Sequence, residues 1–587
     1  MSLPALLFEE TTREQRLRVR RRSFAWQNGI ALIAVLRALT KAGLGETLAA
    51  AGPGRTLQSA RLVAEAGLKP GYANVALRSL ASQGWIRGWR APATPEEARA
   101  GFDFEGTATG VEVFRLLAER PALLEAVERS LPLLDRMEAW LFEEEATPEG
   151  ALLPGEAAPL LARGFDLPRL GTGMRREAAR QLRLFLEGLW AAPVLAAAGR
   201  RGAFRTLGGG REVRIEDRVD LHVLLPTATR RRLIEHAWPV LEACGWMERQ
   251  GGAWHLTPEG KAAAFYSPAL GVTLSYLPLF RGLPALLQGE ARFEELFPRR
   301  ADGRETHVHR PLNIWGSGGA HDLYFRKVDE ILLEIFRGPS PPAAVCDTGC
   351  GDGSYLRHIH EVLRDRLHWD FEKHPVWFLG CDLNRESQER ARRTLQEGRV
   401  PNAHILDRPV DINWPGDLAE GIRELGLVGR DPETGGERPL RAEDALHTNS
   451  MLIHNRRYLT PAPEAELPPS TTDGAFVDPA GGIVPGRVLQ RNLVEFMERW
   501  RPFVERHGWL FIELHTLPVE AVAEDPERTP TIAYDCSHGF SLQYTVEPAV
   551  LRAAAEAAGL RPGNEHFQAS FPGADRPRVT VNYLRGA

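Results

Sequence analysis

The residues best suited to chemistry lie in the second half of this 587-residue chain. The stretch Ala343–Leu356, AAVCDTGCGDGSYL, reads as a buried strand ending at Asp347. A turn with Gly349, Gly351 and Gly353 follows, and then a helix opening near Ser354. Glycines let a backbone close on a ligand, and a helix N-terminus presents free N–H groups. A second apolar run, Val376–Cys381, ends in Asp382, followed by Leu383. An acid at the end of a second strand is placed to accept from the paired hydroxyls of a ribose. The turn is spaced GxGxG, whereas the dinucleotide fingerprint is GxGxxG, which disfavours NAD.

Further polar groups cluster downstream. A predicted fourth strand leads into Ala445–Tyr458, ALHTNSMLIHNRRY, with His447, Asn449, His454, Asn455 and Arg456. A fifth, Gly508–Leu514, ends at Glu513 and His515, and DCSHGFSLQY supplies His538 and Gln543 before a helix at Glu547–Ala558. Ahead of the cradle, His307–Asp322 reads as a glycine-rich loop with Asn313, Ser317 and His321, either a lid over the ligand or an interdomain hinge. The amphipathic helix after it carries Tyr324.

From Pro341 onward, strands alternate with helices, the pattern of a doubly wound α/β sheet. Arg578–Leu584 alternates as a final antiparallel strand, and Arg457–Arg487 reads as a Pro/Gly-rich surface insertion. Residues 1–310 read differently, as mainly helical with two winged-helix-like units. LRSLASQGWIRGW and VLEACGWMERQGGAWHL both place a helix, a Gly-Trp stop and a short hairpin in sequence. Ala122–Leu195 reads as a helical insert between them. The expected recognition helix, Tyr72–Ser82, carries only Arg78 as a base, and the net charge is −5, so nucleic acid is an unlikely partner. The first region is expected to act as a scaffold, a lid or a homodimer interface. Five scattered cysteines and the lack of a long uninterrupted apolar run point to a reducing, cytoplasmic setting without a membrane.

The D-x-G-x-G-x-G spacing resembles the first motif of class I S-adenosylmethionine (SAM) methyltransferases, and the second acid strengthens the resemblance. It implies a Rossmann-like, seven-stranded domain over residues 311–587. Asp347, Gly349, Gly351, Gly353, Asp382, Leu383 and Asn449 would then surround the cofactor. The acid and apolar residue that meet the adenine would be Asp411 and Ile412, with Asp407 as the alternative acid. NIWGSGGAHDLYF, DTGCGDGSYL and the HNRRY and HGFSLQY runs together resemble apratoxin-type polyketide C-methyltransferases. That likeness implies carbon methylation of a malonyl- or acyl-type substrate, free or bound to an acyl carrier protein. It also implies a mononuclear iron or manganese, with His454, Gln543 and His538 as ligands and His454, Tyr324 and His321 as catalytic candidates. Two rival readings are metal-free O- or N-methylation with His454 as general base, and a SAM-sensing regulator.

Overall fold

The computed structural model describes residues 11–586 except 164–172, 208–212, 216–225, 252, 302, 319–320, 431–435, 463–465, 467, 470–471, 564–567, 572 and 574–575. The first half is organised on two long helices, α1 (Arg13–Lys41) and, after the short α2 (Pro70–Ser82), α3 (Met174–Arg200). A capping box starts α1: Gln15 N donates to Thr12 Oγ1 at 3.1 Å, and Thr12 N donates to Gln15 Oε1 at 2.8 Å. The two long helices pack closely because glycines face side chains across the contact. A Cβ at Gly29 would lie 2.5 Å from the Phe185 ring, and one at Gly188 would lie 2.7 Å from Trp26. The expected insert at 122–195 therefore includes most of a central helix. Helices Met174–Arg200 and Pro258–Gln288 are long and apolar enough to span a membrane, but 89% and 67% of their apolar windows are buried inside the protein. Their apolarity serves the core.

Thr56–Gln58, Ile86–Arg87 and Asp103–Gly106 form a small antiparallel sheet beside α2. Every residue of α2 from Gly71 to Ser82 is buried. Arg78 drives into the second half, where it pairs with Asp535 and donates to Thr516 Oγ1 and Leu517 O, both at 2.9 Å.

The segment read as a flexible glycine loop is a helix, α4 (Arg310–Gly318), within the described residues. It is held against helix Gly271–Ser275, where a Cβ at Gly271 would lie 2.9 Å from Gly316 Cα, and Asn313 Nδ2 donates to Ser275 Oγ at 3.1 Å. The glycines serve close helix contact there rather than a free lid. Next comes α5 (His321–Arg337), then β1 (Ala344–Thr348), α6 (Ser354–Asp365), β2 (Trp377–Cys381), α7 (Arg385–Glu397), β3 (Ala403–Ile405), β4 (Ala445–Ser450) and β5 (Trp509–Leu514). The chain closes with α8 (Thr531–Phe540), β6 (Leu560–Pro562), β7 (Gln568–Phe571) and β8 (Val579–Gly586). The sheet runs β3-β2-β1-β4-β5-β8-β6, with β7 also on β8. Its β1–β5 core is parallel and β8 is antiparallel, the Rossmann-like arrangement expected of a SAM methyltransferase with one further strand. Two local readings change. His447 and Asn449 lie inside β4, and His538 sits within α8 rather than in a loop.

Candidate active site

The cradle lies at the carboxyl end of the parallel strands, where β1 turns into α6 and the order reverses between β1 and β4. Gly349, Gly351 and Gly353 all adopt left-handed φ, of 72°, 55° and 78°. At Gly353 a Cβ would also press to 3.0 Å from Ala391 Cα on α7. The turn so formed donates Gly351 N to Asp382 Oδ2 at 3.1 Å, while Asn384 N donates to Asp382 Oδ1 at 2.7 Å. Burial raises the Asp382 carboxyl above its ordinary range, against the pull of those two N–H groups. Asp347, also buried, accepts from Thr448 Oγ1 at 2.8 Å and is pushed up to about 7 by burial.

A cavity of about 340 Å3 opens over this turn. Asp347, Gly349, Gly351, Asp382, Leu383, Asp411 and Ile412 line it, and Leu383 is 43% exposed there. Asp411 accepts from Asn413 N at 2.9 Å and pairs with Arg457 at 2.8 Å. The alternative acid, Asp407, has its side chain 97% exposed, pairs with Arg392 and does not line the cavity. Gly353 underlies the turn from the α7 side. Asn449 is buried away from the cavity, with neither amide atom hydrogen-bonded among the described residues. The opposite wall comes from the first half: Arg299, Glu305 and Arg310. Burial acts on Glu305, but Arg310 beside it holds the carboxyl down at about 2. Nothing in the cradle's own sequence marks these residues, which lie at the start of α4 and in the segment before it.

Beyond the cavity, behind Leu452 and Asn455, is a buried polar cluster. Nδ1 of His454 meets Glu513 Oε1 at 2.5 Å. The same carboxylate accepts Leu514 N and Ile453 N, both at 2.8 Å. Burial would raise Glu513, but His454 brings it below its ordinary range. With Nδ1 committed to the carboxylate, His454 presents Nε2 as its free nitrogen. The rings of His454 and His538 stand edge to face with centroids 4.9 Å apart. His538 Nδ1 bonds Tyr534 O at 2.6 Å, and burial, with His454 adding to it, drives its pKa far down, so the imidazole is neutral. Gln543 Nε2 donates to Tyr276 Oη at 3.0 Å, leaving Gln543 Oε1 buried without a partner among the described residues. Tyr276 is the contribution of the first half that sequence reading missed. Its signal would have been proximity in space to His538, with ring centroids 6.0 Å apart, which no local pattern carries.

The remaining candidates scatter. His447 is a core histidine, bonded to Ala442 O at 2.9 Å, packed on Trp500 and pushed down to about 4 by burial. Tyr324 packs edge to face on Phe571, with centroids 5.1 Å apart. His321 opens α5, and its side chain lies outside the described residues.

Residues 305–582 match the family model described as the AprA MT2-like domain, and residues 19–88 match the AprA N-terminal domain. The carboxy-terminal half is similar to the AprA MT2-like family. The chain is thus a SAM-dependent methyltransferase. Among solved structures it is similar to the CurJ carbon methyltransferase, at 12% identity over 74% of this chain and 100% of that one, with a TM-score of 0.31. It is also similar to the DszA carbon methyltransferase (14%; 81% and 93%; 0.30) and the mitomycin 7-O-methyltransferase MmcR (14%; 71% and 100%; 0.37). No curated protein matches the chain significantly.

The cradle fits SAM chemically: Asp382 for ribose hydroxyls, and Leu383 and Ile412 for the adenine faces. A mononuclear metal fits less well. His454, His538 and Gln543 do converge, but they offer three neutral donors. The nearest carboxylate, Glu513, stands behind the His454 ring with its oxygens engaged. Among the described residues no three His, Cys, Asp or Glu side chains gather as a metal site.

Proposed function

We propose that this methyltransferase alkylates the α-carbon of an acyl-type acceptor, free or carrier-bound, with His454 as the general base. The observation that carries the reading is the His454–Glu513 pair beside the SAM cavity. Glu513 holds the imidazole in the tautomer whose Nε2 can take a proton, and stabilises the cation that results. Bound SAM supplies an electrophilic methyl group on a sulfonium. A carbon acid needs a second element that an alcohol does not, a donor for the developing enolate oxygen. Tyr276 provides one: its oxygen already accepts from Gln543, so its own O–H is left to donate. Burial raises this phenol's pKa, which keeps the proton on it. With His454 and Tyr276 almost wholly buried, proton removal takes place away from water. O- or N-methylation would use His454 in the same way and leave Tyr276 without a task.

A regulator reading finds no support in the geometry. The helix that would enter a DNA groove, α2, is buried from Gly71 to Ser82 and locked by Arg78 into the catalytic half.

The test is release of S-adenosylhomocysteine and methylated product from SAM with β-ketoacyl, malonyl-type and phenolic acceptors, run with and without EDTA. The expected result is turnover of an enolisable acyl compound, insensitive to EDTA and lost in His454→Ala while SAM still binds. Turnover by that variant, or methylation confined to phenols or amines, would overturn the proposal.

A further inference from the structure

Arg578 is a buried charge that the proposed chemistry leaves unused. It stands one residue before β8, at the carboxyl edge of the sheet, and is only 6% exposed. Its backbone is fully tied: Arg578 N donates to Phe571 O and His515 N donates to Arg578 O, both at 2.8 Å. Its guanidinium is not. Nε, Nη1 and Nη2 are all buried without a hydrogen-bond partner among the described residues. The group lies over the Tyr534 ring at 5.3 Å, and burial lowers its pKa. The carboxylate that faces it, Asp535, is already taken by Arg78, a second buried arginine. Also facing it are the Tyr534 and Tyr324 phenols and the His515 and His538 imidazoles, whose pKa values burial lowers, and none of them supplies a counter-charge. An isolated buried cation is costly, and five N–H donors left unsatisfied add to the cost. Buried charges are ordinarily paired, and a guanidinium is shaped for a two-pronged oxyanion.

The position joins this charge to the proposed base. Glu513, which holds His454, pairs in register with Thr580. Arg578 stands two residues before Thr580, just ahead of the strand, roughly 7 Å away at ordinary strand rise. Tyr534 links the two from the other side, with its ring 6.1 Å from His538.

We propose that Arg578 is the receptor for a carboxylate carried by the methyl acceptor, seated so that the acidic carbon faces His454. This rests on the acyl-acceptor reading above and adds an anionic group to it. A phosphate offers the same oxyanion chemistry, so the test separates the two.

The experiment is calorimetric titration of the full-length protein with sodium malonate and, separately, with sodium phosphate, at constant ionic strength, with and without saturating S-adenosylhomocysteine. The variants are Arg578→Met, Arg578→Lys and His454→Gln. Expected is one malonate per chain, unaffected by S-adenosylhomocysteine, weakened at least tenfold in Arg578→Met and less in Arg578→Lys. Phosphate should bind at least tenfold more weakly than malonate. Arg578→Met should keep or raise Tm, since it removes an unpaired buried charge. His454→Gln should bind malonate as the wild type does even if the general-base reading fails. Equal malonate affinity in Arg578→Met overturns the assignment, as does a fall in its Tm with malonate binding intact in Arg578→Lys. Tighter phosphate binding overturns the carboxylate, and displacement of malonate by S-adenosylhomocysteine would reassign Arg578 to the cofactor.

Discussion

Glu513→Gln isolates what the carboxylate does for His454. The change keeps size and removes one charge. The native carboxylate accepts from His454 Nδ1 at 2.5 Å and from two backbone N–H groups at 2.8 Å. An amide has one oxygen for those three donors. Its NH2 must therefore face either Ile453 N–H or the His454 edge, donor against donor. A hydrogen bond to a charged group contributes about 1.5–3 kcal/mol against about 0.5–1.5 for a neutral one. The loss of imidazolium stabilisation in the transition state is thus about 1–2 kcal/mol, or about 5- to 30-fold in kcat at 1.36 kcal/mol per decade. A stranded buried N–H adds about 1–3 kcal/mol of destabilisation, read as a lower Tm. Turnover by S-adenosylhomocysteine release, SAM affinity by calorimetry and Tm by scanning calorimetry are measured on the same preparation. The expected pattern is lower kcat, unchanged SAM affinity and a modest fall in Tm. Activity within twofold of wild type would refute Glu513 as the orienting group, and loss of SAM binding would place it with the cofactor instead.

Asp382→Ala should weaken SAM binding by about 10- to 100-fold in calorimetry, since it removes charged hydrogen-bond acceptors at about 1.5–3 kcal/mol, with kcat at saturating SAM changed far less. Gly353→Ala forces a side chain into φ 78° and to 3.0 Å from Ala391 Cα, so a loss of about 1–3 kcal/mol in chemical denaturation is expected; undiminished stability would contradict the tight α6–α7 contact. Burial pushes His447, His507 and His515 down to about 4, against about 6.5 when unfolded. The unfolded chain therefore takes up protons that the native one refuses, and the stability these residues supply above pH 6.5 is lost as pH falls toward 4. Tm should drop steeply over that window. Asp347, raised to about 7, works in the opposite sense, supplying stability at low pH that is lost as pH rises toward 7.

Short-range pattern sufficed for the cradle. Asp347, the three glycines and Asp382 are separated by one βαβ unit, and their places in the turn follow from backbone needs that glycine and an acid at a strand end meet. The alternation of strands gave the sheet because the inward faces of parallel strands must be apolar. Local pattern misled wherever packing, not propensity, set the structure. The glycines at 316–318 looked like loop residues but lie in a helix that Gly271 allows to approach. His447, in a polar run, is a core residue because β4 turns it toward Trp500.

What only the tertiary structure decided is which polar groups share a buried space. Tyr276 meets His538 and Gln543 across the two halves of the chain, and Arg310 reaches the cavity wall opposite Asp382. Glu513 becomes the partner of His454 only through the β4–β5 pairing. A residue's own type and its neighbours in sequence fix its backbone preference and its side of a strand. They do not fix what it loses on leaving water. That depends on the groups the fold brings to face it, which is why Arg578, unremarkable in the sequence, stands in the structure as an unanswered charge.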